Sequence, residues 1–241
     1  MPTPTEPRHP VVELRQYTLH PGQRDTLIEL FDREFIETQE AVGMAVLCQF
    51  RDLDDPDRFV WLRGFQGMAA RAEALAAFYD GPVWRAHRDA ANATMLDSDN
   101  VLLLRPASTH TSMPIDAWRR GTAPAGAAVA LVCPLTAVPD AHVVAALLQA
   151  WLPLLARHGG TLAGCWVSEN SANSFPRLPV REGEQVLVAL ARFGEREGCD
   201  RFATALKASP DGFDRAGADT GAALIAPAQV LRLAPTTRSR F

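Results

Sequence analysis

Residues 11–22 read Val-Val-Glu-Leu-Arg-Gln-Tyr-Thr-Leu-His-Pro-Gly, and this stretch constrains the fold more than any other. Side chains alternate across a strand, so Val11, Glu13, Arg15, Tyr17 and Leu19 share one face, and Val12, Leu14, Gln16 and Thr18 the other. His20-Pro21-Gly22 then ends the strand, because proline donates no ladder hydrogen bond and glycine frees the backbone to turn. The row Glu13, Arg15, Tyr17 is unusual on a single face. If it is buried, all three polar groups need partners, since an unpaired buried charge is strongly destabilising. If it is not, the face is the wet side of a half-exposed sheet.

What can cover such a face depends on the rest of the chain. Its 241 residues suffice for one large or two small domains, and 47% hydrophobic against 22% charged residues is ordinary for a globular core. The net charge of −4 argues against nucleic-acid or anionic-membrane binding, which need a basic face. No apolar run reaches the roughly twenty residues of a membrane span. Residues 1–10 lack the apolar core of a signal peptide and read as a disordered leader. Cys48, Cys133, Cys165 and Cys199 form no CxxC, and three of them sit in apolar strand patterns. They read as small buried hydrophobes in a reducing, cytoplasmic setting.

Along the chain, Leu27, Leu30, Phe31 and Phe35 recur at helical spacing up to about Glu40. Strands are expected over Ala45–Arg51 and Phe59–Phe65, the second with Phe59, Trp61, Arg63 and Phe65 on one face. A helix over Gly67–Tyr79 breaks at Asp80-Gly81 and restarts at Pro82, a favoured first-turn residue. A strand follows at Val101–Leu104. The order β-α-β-β-α-β is that of a ferredoxin-like unit, whose sheet has helices on one face only. Residues 107–126 are a linker rich in proline, glycine and hydroxyl residues, and the pattern then repeats over 127–235, with 236–241 as a tail. The fold class is therefore α+β, with tandem ferredoxin-like units over 11–106 and 127–235. The two open sheet faces can meet within the chain or against a second copy. In that packing the Glu13/Arg15/Tyr17 row is expected to point into the space between the sheets. Homo-oligomerisation is expected as cover for leftover faces and edges.

The segment Glu13-Leu-Arg-Gln-Tyr-Thr-Leu-His-Pro-Gly22 resembles the opening signature of the NIPSNAP family. Val60-Trp-Leu-Arg63 and Tyr79-Asp-Gly-Pro-Val-Trp-Arg-Ala-His-Arg88 resemble the same family. The similarity covers roughly Val11 to Pro106. It implies a dimeric α/β-barrel arrangement, a superfamily that includes cofactor-free monooxygenases, isomerases and haem enzymes, but it implies no particular reaction.

Candidate site residues fall in two groups. Arg15, Tyr17, Trp61 and Arg63 lie on the strand faces described, where the arginines either grip an anionic ligand bidentately or form internal ion pairs, with Glu13 the partner for Arg15. Trp84, His87, Arg88 and Asn92 lie on the restarted helix; Trp84, His87 and Ala91 share a face at i, i+3, i+7. His87 is a candidate general acid or base, or an inert residue packed beside Trp84. The histidines form no HxH or HExxH, no phosphate loop or GxSxG occurs, and neither metal nor cofactor is expected. The favoured function is binding of a small anionic or aromatic molecule in a cavity between sheet and helices. The alternative is a cofactor-independent monooxygenase or isomerase using His87, with haem ligation by His87 more remote. The long connection 169–183, carrying Phe175, Leu178 and Val180, is expected to be an interface arm.

Overall fold

The fold was established from a computed structural model, which describes residues 9–108, 126–208 and 224–241. Most of the leader and nearly all of the linker 107–126 lie outside the described residues. In chain order the elements are β1 (Val11–Leu19), α1 (Arg24–Leu30), a π-helical turn (Phe31–Phe35), α2 (Ile36–Ala41), β2 (Ala45–Asp52) and β3 (Arg58–Phe65). They continue with α3 (Met68–Tyr79), α4 (Pro82–Asn92), β4 (Met95–Asp97), β5 (Val101–Pro106), β6 (Ala127–Leu135) and α5 (Ala141–Arg157). The last are β7 (Gly160–Ser168), β8 (Gln185–Phe193), α6 (Arg196–Ala208) and β9 (Gln229–Pro235). The π turn and the short β4 were not visible in the periodicity. Ahead of β9, Leu224 makes one isolated bridge to Leu135.

Eight of these strands close into an antiparallel barrel in the cyclic order β1-β3-β2-β9-β6-β8-β7-β5, and β4 extends the edge of β1. Within residues 11–106 the strands lie in the order β2-β3-β1-β5, and within 127–235 in the order β7-β8-β6-β9. Short ladders join the halves, Phe50–Asp52 against Leu233–Pro235 and Leu104–Pro106 against Trp166–Ser168. Closure thus happens within one chain, and it pairs the strand edges that an open sheet leaves exposed.

Three apolar layers follow. The barrel interior is filled from both halves by residues such as Val12, Leu14, Phe50, Leu62, Trp166 and Leu233. Gly164 makes room for Trp166, because a Cβ there would lie 2.3 Å from the indole ring. Outside the barrel, α1 to α4 cover the first half over Val11, Tyr17, Phe59 and Trp61. Helices α5 and α6 cover the second half over Val129, Leu131 and Cys165. Asp140 caps α5 by accepting from the Val143 amide at 2.9 Å.

One expectation is corrected. The Glu13/Arg15/Tyr17 row is buried, but it does not face the space between the sheets. The apolar face, Val12 and Leu14, turns into the barrel, and the polar row turns outward beneath the helices. The interior of an eight-stranded barrel is just wide enough for side chains to fill it. Three long polar groups placed there would lack partners, whereas beneath the helices they find them. Residues 236–241 also behave unlike a free tail. Ser239 Oγ accepts from the Gln49 amide at 3.0 Å, and the Phe241 ring packs 5.0 Å from Phe50 among the barrel-interior residues.

Candidate functional site

Glu13 is at the centre. Register places it opposite Arg63 on β3, while Arg15 sits opposite Trp61 and Tyr17 opposite Phe59. Glu13 Oε2 accepts from Arg15 Nη1 and from Arg63 Nε, each at 2.7 Å, and Oε1 accepts from Arg71 Nε at 2.7 Å. All four side chains are at most 1% exposed. Burial alone raises the Glu13 carboxyl, but Arg63, Arg15 and Arg71 together outweigh it and hold the group far below the usual carboxylate range. Three guanidiniums against one carboxylate leave two positive charges in excess inside the protein.

Part of that excess rests on aromatic faces. Arg15 and Arg63 lie 5.6 Å and 5.2 Å from the Trp61 ring, and Arg63 lies 5.6 Å from Phe65. Further polar partners come from elsewhere. Gln39 Oε1 accepts from Arg63 Nη1 at 3.1 Å, and Asn173 Oδ1 and Ser174 Oγ accept from Arg71 Nη1 at 2.9 Å and 3.1 Å. Arg15 Nε donates to Tyr17 Oη at 2.9 Å. Among the described residues, Trp61 Nε1, Arg63 Nη2 and Arg71 Nη2 are buried donors without an acceptor.

Above Tyr17 and Trp61, between the sheet and the helices, lies a cavity of about 30 Å³. Leu27, Phe31, Phe35 and Gln39 wall it from the first helical segment, Ala91 and Trp84 from α4, and Phe78 and Tyr79 from α3. The π turn supplies two of these rings, with Phe31 and Phe35 edge-to-face at 6.0 Å. Tyr79 and Trp84, whose rings meet at 4.8 Å, separate this cavity from an outer vestibule of about 390 Å³. Arg85, Arg88, Asn92 and Arg177 line the vestibule.

The 169–183 connection closes over the same region. Phe175 stacks on Tyr79 at 6.0 Å, Arg177 makes two 2.9 Å hydrogen bonds to the Asp80 carboxylate, and Phe175 and Leu178 join the core under α3 and α4. Phe175 and Leu178, two of the three apolar handles expected to serve an interface arm, are thus inserted in their own chain.

The structure therefore gathers Arg15, Tyr17, Trp61 and Arg63 around one carboxylate, and places Trp84, Arg88 and Asn92 at the outer opening. His87 stands apart. It lines neither space, its side chain is 32% exposed, its Nε2 is 3.5 Å from Glu34 Oε2, and its ring packs on Phe35 at 6.4 Å. Arg71 and Gln39 were not anticipated, although a signal existed. Arg71 occupies the same stripe as Ala74, Leu75 and Phe78, and Gln39 ends the i, i+4 series Leu27, Phe31, Phe35. Asn173 and Ser174 carry no such signal, because they reach Arg71 across about a hundred residues. No group of three or more His, Cys, Asp or Glu residues suited to a metal occurs among the described residues, and no described helix is long and apolar enough to cross a membrane.

Comparison with known proteins bears on the family and the fold. Residues 12–110 match the family model of NIPSNAP. No curated protein matches the sequence. Among solved structures, an anthrone oxidase-like protein aligns over 95% of this chain and 93% of its own, with 13% identity and a TM-score of 0.54. A presumptive monooxygenase from Lactobacillus acidophilus NCFM aligns over 96% and 98%, with 14% identity and a TM-score of 0.52. A NIPSNAP family protein of unknown function from Agrobacterium tumefaciens str. C58 aligns over 41% of this chain and 88% of its own, with 21% identity and a TM-score of 0.38. The full-length likenesses establish a shared barrel architecture.

Proposed function

We propose that this chain, with its NIPSNAP match over residues 12–110, binds a small aromatic or anionic molecule between the first-half sheet and helices α1 to α4. The observation that carries the reading is the aromatic cavity floored by Tyr17 and Trp61, with the arginine-rich Glu13 cluster in the same layer. A pocket with apolar walls and a few convergent polar groups is the usual form of a small-molecule site. We also read the two halves as tandem ferredoxin-like units, supported by the matching strand order in each.

A volume of about 30 Å³ holds about two waters, not a ring. Binding therefore needs Tyr79 and Trp84 to turn aside and join the cavity to the vestibule. Both are only partly buried, and the loop above them meets them through Phe175, which stacks on Tyr79, and through an exposed ion pair, Arg177 with Asp80. Thermal unfolding with a panel of aromatic acids and phenols tests this. Ligand at a hundredfold excess over its Kd stabilises by about 2.7 kcal/mol, a rise of roughly 5–10 °C. Ala91→Leu, which fills the cavity, should abolish the rise. If no compound shifts the wild-type protein, the reading fails.

The second reading is a cofactor-independent monooxygenase or isomerase, favoured by the names of the structural neighbours. The placement of His87 gives it no reach to the cavity, and Tyr17 is the nearer titratable group. Oxygen uptake with anthrone-type substrates, unchanged by His87→Ala and lost in Tyr17→Phe, supports that version. Uptake lost on His87→Ala restores the histidine as acid or base.

A further inference from the structure

We infer that the site takes its ligand through one ionised oxygen, so that the ligand class is an acidic phenol or enol bound as its oxyanion. The inference rests on the binding reading above and deepens it. Trp61 is 2% exposed and lines the cavity, yet its Nε1 hydrogen meets no acceptor among the described residues. A buried N–H without a partner is rare in native proteins, and it marks a place where an acceptor belongs. Tyr17 lines the same cavity. Its hydroxyl oxygen already accepts from Arg15 Nε at 2.9 Å, so its own hydrogen is left to donate. The two residues that floor the cavity thus each carry a donor hydrogen with no acceptor among the described residues.

Charge and donor count select the ligand. The Arg15 guanidinium lies 5.3 Å from the Tyr17 ring and 5.6 Å from the Trp61 ring, and the Glu13 cluster behind carries two uncompensated positive charges. In a site shielded from water such an excess favours an anion over a neutral guest. A carboxylate brings two oxygens with about four lone-pair sites, more than two donors satisfy. A phenolate or enolate brings one oxygen, which two donors suit, and its planar ring faces Phe31 and Phe35. On binding, the ligand's O–H bond breaks and the proton leaves to solvent; nothing is oxidised or reduced.

Three probes of one shape test the inference on the intact chain: 4-nitrophenol, nitrobenzene and 4-nitrobenzoate. Titrations are run below the solution pKa of 4-nitrophenol, with absorbance read for its phenolate band. The expected result is 4-nitrophenol bound as the coloured anion, at least about tenfold tighter than nitrobenzene, since a hydrogen bond to a charged group is worth that factor. Trp61→Phe should erase most of this preference while nitrobenzene still binds, and Tyr17→Phe should do the same if the first variant folds poorly. Four outcomes overturn it. 4-Nitrophenol bound without its phenolate colour shows a neutral guest in the site. Nitrobenzene binding equally well shows a merely aromatic cavity and leaves the binding reading standing. 4-Nitrobenzoate binding tightest shows a carboxylate site. If none binds, the orphan indole N–H is served by water, and the inference falls together with the reading it rests on.

Discussion

Replacing Glu13 with Gln is the perturbation that most directly tests how the site is held. Glutamine keeps the shape but removes the only carboxylate among the described residues that pairs with Arg15, Arg63 and Arg71, and it turns one acceptor into an N–H2 aimed at a guanidinium donor. Breaking a buried ion pair from one side costs about 3–5 kcal/mol, because the partner charges remain buried. At about 2–4 °C per kcal/mol for a chain of this size, Tm should fall by roughly 6–20 °C near neutral pH. The pH dependence supplies a second reading. The folded carboxyl titrates far below its unfolded value of about 4.3, so its stabilisation is complete above that value and declines progressively as pH falls below it toward the much lower folded value. Thermal unfolding of both proteins from pH 7 to pH 3 should therefore show a gap that narrows below about pH 4.5. A gap under about 1 kcal/mol at pH 7, or one that stays constant down to pH 3, refutes the idea that this carboxylate anchors the cluster.

Asn173→Ala should destabilise the protein by about 1–3 kcal/mol in chemical denaturation, because Arg71 Nη1 loses one of its two acceptors, while Arg177→Ala at the exposed pair with Asp80 should leave the unfolding midpoint nearly unchanged. Phe241→Ala removes a ring that is 4% exposed against Phe50 and should cost about 3–5 kcal/mol, whereas a solvated tail would give no measurable change. Burial pushes the Cys165 thiol up to about 12 and Cys199 up to about 11, so all four cysteines should stay unreactive toward a thiol reagent at pH 8 until denaturant is added, and rapid labelling of the folded protein would contradict their burial.

Much of the local structure was legible in the chain. The proline and glycine punctuation set the limits of β1, α3 and α4 within a residue or two, and alternation put Glu13, Arg15 and Tyr17 on one face of β1. The Phe59, Trp61, Arg63, Phe65 face was legible for the same reason, and so were four of the residues now gathered in the buried layer. Arg71 and Gln39 were legible in principle, as polar residues on otherwise apolar helical stripes. His87 shows where spacing misleads: it shares a helical face with Trp84 and Ala91, yet sits between Glu34 and Phe35 at the margin. A three-residue spacing fixes a sector of the helix and leaves undecided which edge of that sector meets the cavity.

What the sequence determined by itself is periodicity: which residues form strands and helices, and which side chains travel together on a face. What only the tertiary structure decided is the direction each face points. Alternation is symmetric between the two sides of a sheet, so β1 alone does not say whether Val12 or Glu13 turns inward. Closure of the barrel breaks that symmetry, because its narrow interior accepts apolar side chains from eight strands while Glu13 finds Arg71, and through Arg63 and Arg71 the acceptors Gln39 and Asn173, only outside the barrel. Arg71 lies 58 residues from Glu13, and Asn173 a further 102 from the Arg71 it serves, so no local pattern in β1 encodes them.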